Sequence, residues 1–324
     1  MPRRVNARVP PSGDAGRGRV AAIDCGTNSF RLLIAGPGPA GELVELTREL
    51  EIVRLGEGVD ATGELQPAAL ARTFAAAERY AAQLRTYAVA PERTRVVATS
   101  AARDARNVED FFAGMASRLG VRPEVVTGAE EARLSFVGAL SGVRIEQDGP
   151  VLVMDIGGGS TELVLGDRTG AISSAVSLDI GSVRLTERFG LVGPVPAVHR
   201  VAATAYVDGL LDGLGWSLDG VGTWIGVAGT VTTVSALIQE LPAYDRARVH
   251  GSTVTTKELT GLLERLAAST TDQIRGLGAM EPGRADVITA GTLIADRIAR
   301  RVERSMLVSE SDILDGVALA LLSS

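Results

Sequence analysis

With 324 residues, 45% of them hydrophobic, the chain can bury a large core but is long for a single one, and two domains are expected. Its net charge of −6 argues against a surface that neutralises a nucleic-acid backbone or an anionic bilayer, so neither nucleic acid nor membrane is expected as a partner. Cys25 is the only cysteine and His199 and His250 are the only histidines, which excludes disulfide scaffolds, thiolate zinc sites and histidine metal clusters and leaves acid–base chemistry to carboxylates.

In chain order, residues 1–18 are rich in Arg, Pro and Gly and lack the apolar stretch of a secretory signal, so they read as a disordered lead on a cytoplasmic protein. From Arg19 to Gly36 an apolar strand ends at Asp24, turns through Cys25-Gly26-Thr27-Asn28-Ser29 and returns as a second strand through Leu32, Leu33 and Ile34. A strand over Glu42 to Leu55 follows, then an Ala-rich helix over Pro67 to Val89 with proline in its first turn. Thr94 to Ala98 reads as a strand, Asn107 as the cap of a helix through Leu119, and Val125-Val126 as a strand before a helix over Gly128 to Leu140.

The opening pattern then recurs. Asp155 repeats Asp24 131 positions later, with Gly157 matching Gly26, Ser160 matching Ser29 and Leu163-Val164-Leu165 matching Leu32-Leu33-Ile34, all without a gap. Ala171 to Leu178 reads as a strand, Pro196 to Leu214 mostly as helix, and Trp224 to Val227 as a strand with a helix starting after Gly229. Helices over Lys257 to Ala268 and Pro282 to Val302, a strand near Met306 to Val308 and a helix from Asp312 to Leu322 complete the series. The uncharged run Gly220 to Gln239 is long enough to raise a membrane question, but its Gly, Thr and Ser content makes it a strand, loop and helix start. A duplicated hairpin-and-helix unit predicts mixed sheets with helices on their faces in two lobes. They are expected over residues 19–135, joined by the last helix 312–324, and over residues 136–311.

The strongest chemical signal is Asp155-Ile156-Gly157-Gly158-Gly159-Ser160-Thr161-Glu162. Three successive glycines let the backbone approach a ligand closely, and the N–H groups of so tight a turn suit a phosphate. An ordinary hairpin turn needs one or two glycines, not three between two carboxylates. Asp155 and Glu162 lie on opposite arms of the hairpin, so both can meet at one hard cation, Mg²⁺ or Mn²⁺, although either acid alone reads equally as a solvated or capping residue. Cys25, at a strand end, reads as packed and inert. Arg297, Arg300, Arg301 and Arg304 on one helix read as a solvated face or as the lining of a polyanion path.

The repeat looks like the fold shared by actin, sugar kinases and heat-shock ATPases, an α/β fold of two ribonuclease H-like lobes facing each other across a cleft. Ala98 to Asn107, Gly128 to Arg133, Ser177 to Arg188 and Val227 to Thr230, in order with the two loops, resemble exopolyphosphatases and guanosine pentaphosphate phosphatases from about Val20 to the end of the chain. That resemblance implies hydrolysis of the terminal phosphoanhydride of inorganic polyphosphate or of guanosine pentaphosphate, releasing orthophosphate. Glu131 matches the family's catalytic glutamate, which would deprotonate the attacking water; on its own it reads equally as an acid favoured at a helix N-terminus. Arg103 would face the cleft as a phosphate ligand, where the bare sequence allows a surface arginine as well. Gly26, Thr27, Asn28 and Ser29 would bind phosphate as Gly157, Gly158, Gly159 and Ser160 do, and Asp24 would reach the metal through water. Gly229 and Thr230 would take a further phosphate at a helix N-terminus, unless Thr230 serves only as a cap.

Longer members of the family carry an additional C-terminal helical domain, and the end of this chain at Ser324 argues against processive cleavage of long polymers. Guanosine tetraphosphate as a ligand and pairing into a homodimer are open at this level. So are two other functions, a small-molecule kinase or ATPase of the same fold and a non-catalytic guanosine tetraphosphate sensor.

Overall fold

The structure is a computed structural model describing residues 18–324, so the lead expected over residues 1–18 lies outside it apart from Gly18. Two compact units emerge: one comprises the chain up to Leu134 together with Ile313–Ser324, the other Ser135–Asp312. No helix among the described residues is long and apolar enough to cross a membrane.

The first unit contains strands β1 (Val20–Cys25), β2 (Ser29–Pro37), β3 (Leu43–Ile52), β4 (Thr94–Ala98) and β5 (Glu124–Val125), which form one sheet in the order β3-β2-β1-β4-β5. Its helices are α1 (Val59–Thr62), α2 (Pro67–Thr86), α3 (Ser100–Asp104), α4 (Val108–Leu119) and the first turns of α5 (Gly128–Gly142). Strand β1 is antiparallel to β2 and parallel to β4, and it is buried throughout because helices cover both faces of the sheet. Ala21, Ile23 and Cys25 point into a core shared with Ala76, Tyr80, Phe111 and Met115 of α2 and α4. The intervening Val20 and Ala22 point into a second core with Ile313, Leu314, Val317 and Ala318 of the last helix. Each large aliphatic side chain buried there contributes about 1.5–3 kcal/mol. By the same alternation, Asp24 lies on the face of the last helix.

The second unit contains β6 (Val151–Ile156), β7 (Thr161–Gly166), β8 (Ile172–Leu178), β9 (Thr223–Val227), β10 (Thr253–Val254) and β11 (Met306–Val308), in the order β10-β11-β9-β6-β7-β8. The antiparallel run β8-β7-β6 continued by parallel β9 and β11 repeats the first sheet, with β10 added antiparallel at the edge. Its helices are α6 (Ser182–Phe189), α7 (Ala197–Asp212), α8 (Ala228–Ile238), α9 (Arg246–Val249), α10 (Thr256–Ala268), α11 (Thr271–Arg275) and α12 (Ile288–Val302). Most pack on one face of the sheet around Leu152, Met154, Ile156 and Trp224. The later turns of α5 lie on the other face, where Phe136 meets Gly166. Helix α13 (Ile313–Leu322) closes the chain. The α/β architecture of two repeated units is thus the one the sequence implied.

Three local expectations change. Asn107 occupies the cap position of α4 without capping it, because its amide instead accepts from the Leu65 N–H at 2.8 Å and donates to the Leu65 carbonyl at 3.0 Å. The helix expected from Pro282 is a 3₁₀ turn over Pro282–Arg284, and α12 begins only at Ile288. The helix expected after Gly229 starts earlier, at Ala228 directly from β9, with Ala228 in the left-handed region at φ 68°.

Candidate active site

Both hairpins close by the same bond: the Gly26 N–H donates to the Ser29 carbonyl at 3.0 Å, and the Gly157 N–H to the Ser160 carbonyl at 3.0 Å. Glycine suits both positions, since a Cβ on either would lie a tight 3.1–3.2 Å from that carbonyl oxygen. The repeat read from sequence is therefore a repeat of geometry.

In the second hairpin, the first turn of α6 sets the direction of the peptides. The Gly157 carbonyl accepts from Ser182 N–H, the Gly158 carbonyl from Val183 and Arg184 N–H, and the Gly159 carbonyl from Arg184 Nε at 2.8 Å. In a trans peptide the next N–H points opposite to the carbonyl, so the amides of Gly158, Gly159 and Ser160 all turn away from α6. No described residue accepts from them. Such a row of inward amides is an anion-binding concavity. Gly181 makes it possible: a Cβ there would lie 2.4–2.5 Å from backbone atoms of Gly158 and Gly159. Sequence reasoning included Gly181 in a motif but gave it no role, because the contact joins segments some twenty residues apart.

Asp155 and Glu162 face each other directly across β6 and β7, 6% and 1% exposed. Like charges in directly opposed positions repel, so a buried pair of this kind suits a cation. Among the described residues no three His, Cys, Asp or Glu side chains are grouped to hold a metal unaided. Two carboxylates fit Mg²⁺, which keeps several waters and shares the oxygens of a phosphate substrate.

The first hairpin differs. Opposite Asp24 stands Arg31, whose Nη2 lies 2.6 Å from Asp24 Oδ2. The turn is fastened to the loop after β3, with the Thr27 carbonyl accepting from Gly56 N–H and the Asn28 carbonyl from Val53 and Arg54 N–H. Thr27 Oγ1 and Asn28 Oδ1 are buried without a hydrogen-bond partner among the described residues, which leaves two polar atoms for a ligand. Cys25 is buried and free, and burial, reinforced by the charge of Asp24, pushes its thiol well above the ordinary range. It is an inert thiol.

Also in the first unit, Arg103 on α3 donates from Nη1 to Glu131 Oε2 at 2.7 Å and to the Val126 carbonyl at 3.0 Å. Ser100, Ala101 and Ala102 are small and buried, and the Thr99 N–H just before them donates to the Cys25 carbonyl at the end of β1 at 3.3 Å. Glu131 occupies the first turn of α5, only 8% exposed. Its neighbour Glu130 is held by Arg133 and Arg95, and the Arg133 hydrogen bond is the main reason its carboxyl sits below the usual range.

In the second unit Gly229 and Thr230 fall in the first turn of α8. The guanidinium of Arg284 lies where a Gly229 side chain would be, 1.6 Å from the position of its Cβ, and Arg284 is 8% exposed. Sequence reasoning did not find Arg284, since its environment arises from the 3₁₀ turn that replaces an expected helix. The arginines of α12 are paired: Arg297 and Arg301 with Asp208, Arg301 also with Asp212, and Arg300 with Asp296. They fasten α12 to α7 and to its own preceding turn.

The sequence pattern of the Ppx/GppA phosphatase family matches residues 38–324. Exopolyphosphatase 2 of Mycobacterium tuberculosis is 48% identical over 319 residues, covering 94% of this chain and 98% of the relative. The crystal structure of an exopolyphosphatase-like protein superposes with a TM-score of 0.88 at 38% identity, covering 93% of this chain and 98% of that one. A Ppx/GppA family member from Aquifex aeolicus superposes with a TM-score of 0.77 at 30% identity, covering 94% and 97% of the respective chains.

Proposed function

Because the chain belongs to the Ppx/GppA phosphatase family, we propose that it hydrolyses the terminal phosphoanhydride of inorganic polyphosphate, releasing orthophosphate. The observation that carries this reading is the row of inward amides from Gly158 to Ser160 beside the opposed carboxylates Asp155 and Glu162. The name of the mycobacterial relative, an exopolyphosphatase, supports polyphosphate as substrate. The 5′-terminal phosphoanhydride of guanosine pentaphosphate is the same kind of bond, and it is the second substrate of this proposal.

Glu131 takes the proton of the attacking water as its oxygen bonds to the terminal phosphorus. The phosphoanhydride bond breaks on the far side, so the products are orthophosphate and a chain one phosphate shorter. Arg103 holds the Glu131 carboxylate in place and supplies a guanidinium for phosphoryl oxygens. The turn from Gly157 to Ser160 holds phosphate in one unit through the amides of Gly158, Gly159 and Ser160, and Gly26, Thr27, Asn28 and Ser29 hold it in the other. The unpartnered Thr27 and Asn28 oxygens support that assignment. Gly229 and Thr230 at the start of α8, with the Arg284 guanidinium beside them, form a further phosphate contact at the positive end of the helix. Asp155 and Glu162 would hold Mg²⁺ or Mn²⁺, which would supply neutralisation of charge on the phosphoryl oxygens.

Phosphate release from polyphosphates of several lengths, guanosine pentaphosphate and ATP, with and without Mg²⁺ and with no acceptor present, tests the proposal. Mg²⁺-dependent release from polyphosphate is expected. Turnover that requires a phosphoryl acceptor would point instead to a kinase of the same fold.

A further inference from the structure

Asp24–Arg31 and Asp155–Glu162 occupy the same register position in the two hairpins, yet they are held differently. Asp24 Oδ2 accepts from Arg31 Nε at 3.0 Å and from Nη2 at 2.6 Å, so a guanidinium both fixes that acid and cancels its charge. In the second hairpin hydroxyls reach the acids. Ser135 Oγ donates to Asp155 Oδ2 at 2.7 Å, and Ser177 Oγ donates to Glu162 Oε1 at 2.7 Å. A hydroxyl fixes a carboxylate without reducing its formal charge.

The two serines reach the pair from different elements. Ser177 stands on β8 directly opposite Glu162, so Asp155, Glu162 and Ser177 form one row across three neighbouring strands, on one face of the sheet. Ser135 comes from α5, which covers that face, and is fully buried. Its position is one helical turn after Glu131, so both side chains project from the same side of α5.

We propose that Ser135 and Ser177 are positioning residues for the metal-binding carboxylates. Each gives one oxygen of the pair a hydroxyl donor and so holds Asp155 and Glu162 in a fixed orientation toward a single divalent cation. The inference rests on the metal role given to the pair under the proposed function.

Mn²⁺ binding to the full-length protein, followed by electron paramagnetic resonance, tests both levels separately. The variants are Ser135→Ala, Ser177→Ala, Ser177→Thr and Asp155→Asn, each checked for folding by circular dichroism. Asp155→Asn is expected to lose tight binding, and each alanine variant to weaken Mn²⁺ by about tenfold or more. Ser177→Thr, which keeps the hydroxyl, is expected to bind like the parent. At saturating Mn²⁺ the alanine variants should regain most of the parent kcat, a split that general loosening of the fold would not produce. Parent-like Mn²⁺ affinity in the alanine variants, or a kcat that stays low at saturating metal, would overturn the positioning role. Unchanged binding in Asp155→Asn would overturn the metal role of the pair itself. Should Ser135→Ala fail to fold, the half-buried Ser177 carries the test.

Discussion

One guanidinium nitrogen of Arg103 lies 2.7 Å from the carboxylate of Glu131 and 3.0 Å from the carbonyl of Val126. It therefore ties the first turn of α5 to the chain just beyond β5. Glu131→Gln is expected to lower kcat by about 10²–10⁴ while leaving polyphosphate binding near that of the parent. Phosphate release combined with calorimetric titration of polyphosphate measures both quantities, and a variant that keeps most of its rate would remove Glu131 as the base. In a double-mutant cycle with Arg103→Gln, a coupling of more than about 0.5 kcal/mol in stability is expected.

Gly181→Ala places a methyl group 2.4–2.5 Å from the backbone of Gly158 and Gly159, where no flexible side chain can yield. The cost in stability is expected at about 1–3 kcal/mol. Because the displaced atoms belong to the turn proposed to hold phosphate, KM for polyphosphate should rise along with the loss in melting temperature. A variant with normal KM and normal melting temperature would show that the turn tolerates the intrusion.

Relief of repulsion makes a prediction of opposite sign at the metal pair. Glu162→Gln removes one of two opposed buried charges, so the metal-free variant should be more stable than the metal-free parent by up to about 1 kcal/mol. The same variant should lose the stabilisation that Mg²⁺ confers on the parent, which at ten times the dissociation constant is about 1.4 kcal/mol. Thermal melts in EDTA and in Mg²⁺ check both signs. A metal-free variant that melts below the parent would contradict the repulsion argument.

The hairpins were readable from sequence because their geometry is local. Gly157 closes on Ser160 three residues later, and the apolar alternation of each strand marks its two faces. What sequence could not supply were partners chosen by tertiary packing. Asn107 has the identity of a helix cap, yet Leu65 offers it both a donor and an acceptor. Ser135 and Ser177 look like any other serines until the sheet register and the path of α5 bring them to carboxylates. The charged face of α12 suggested solvent or a polyanion, and only the fold brings Asp208 to Arg297 and Arg301.

Asp208 also carries a pH signature. Burial alone would raise its pKa, but hydrogen bonds and charge from Arg297 and Arg301 outweigh burial and hold it below the ordinary value. A depressed carboxylate contributes stability that is present above its unfolded pKa, near 3.8, and is lost as pH falls through the lower folded value. Asp208→Asn should therefore melt about 2 °C below the parent at pH 7, a small effect because the pair is partly exposed. The gap should close as the pH drops below 3.8. A gap that stays constant across that range would assign the loss to packing.

Helix α13 has a consequence for the order in which the molecule can be made. The sheet face bearing Val20, Ala22, Leu33, Ala35 and Val97 is covered by Ile313, Leu314, Val317 and Ala318, which leave the ribosome long after the strands they cover. The unit that begins first is therefore completed last. Between the emergence of Leu134 and that of Ile313, an interval on the order of 10–40 s at bacterial elongation rates, its inner face lacks its native cover. The second unit, by contrast, is contiguous in sequence and can close while the nascent first sheet still waits for its lid.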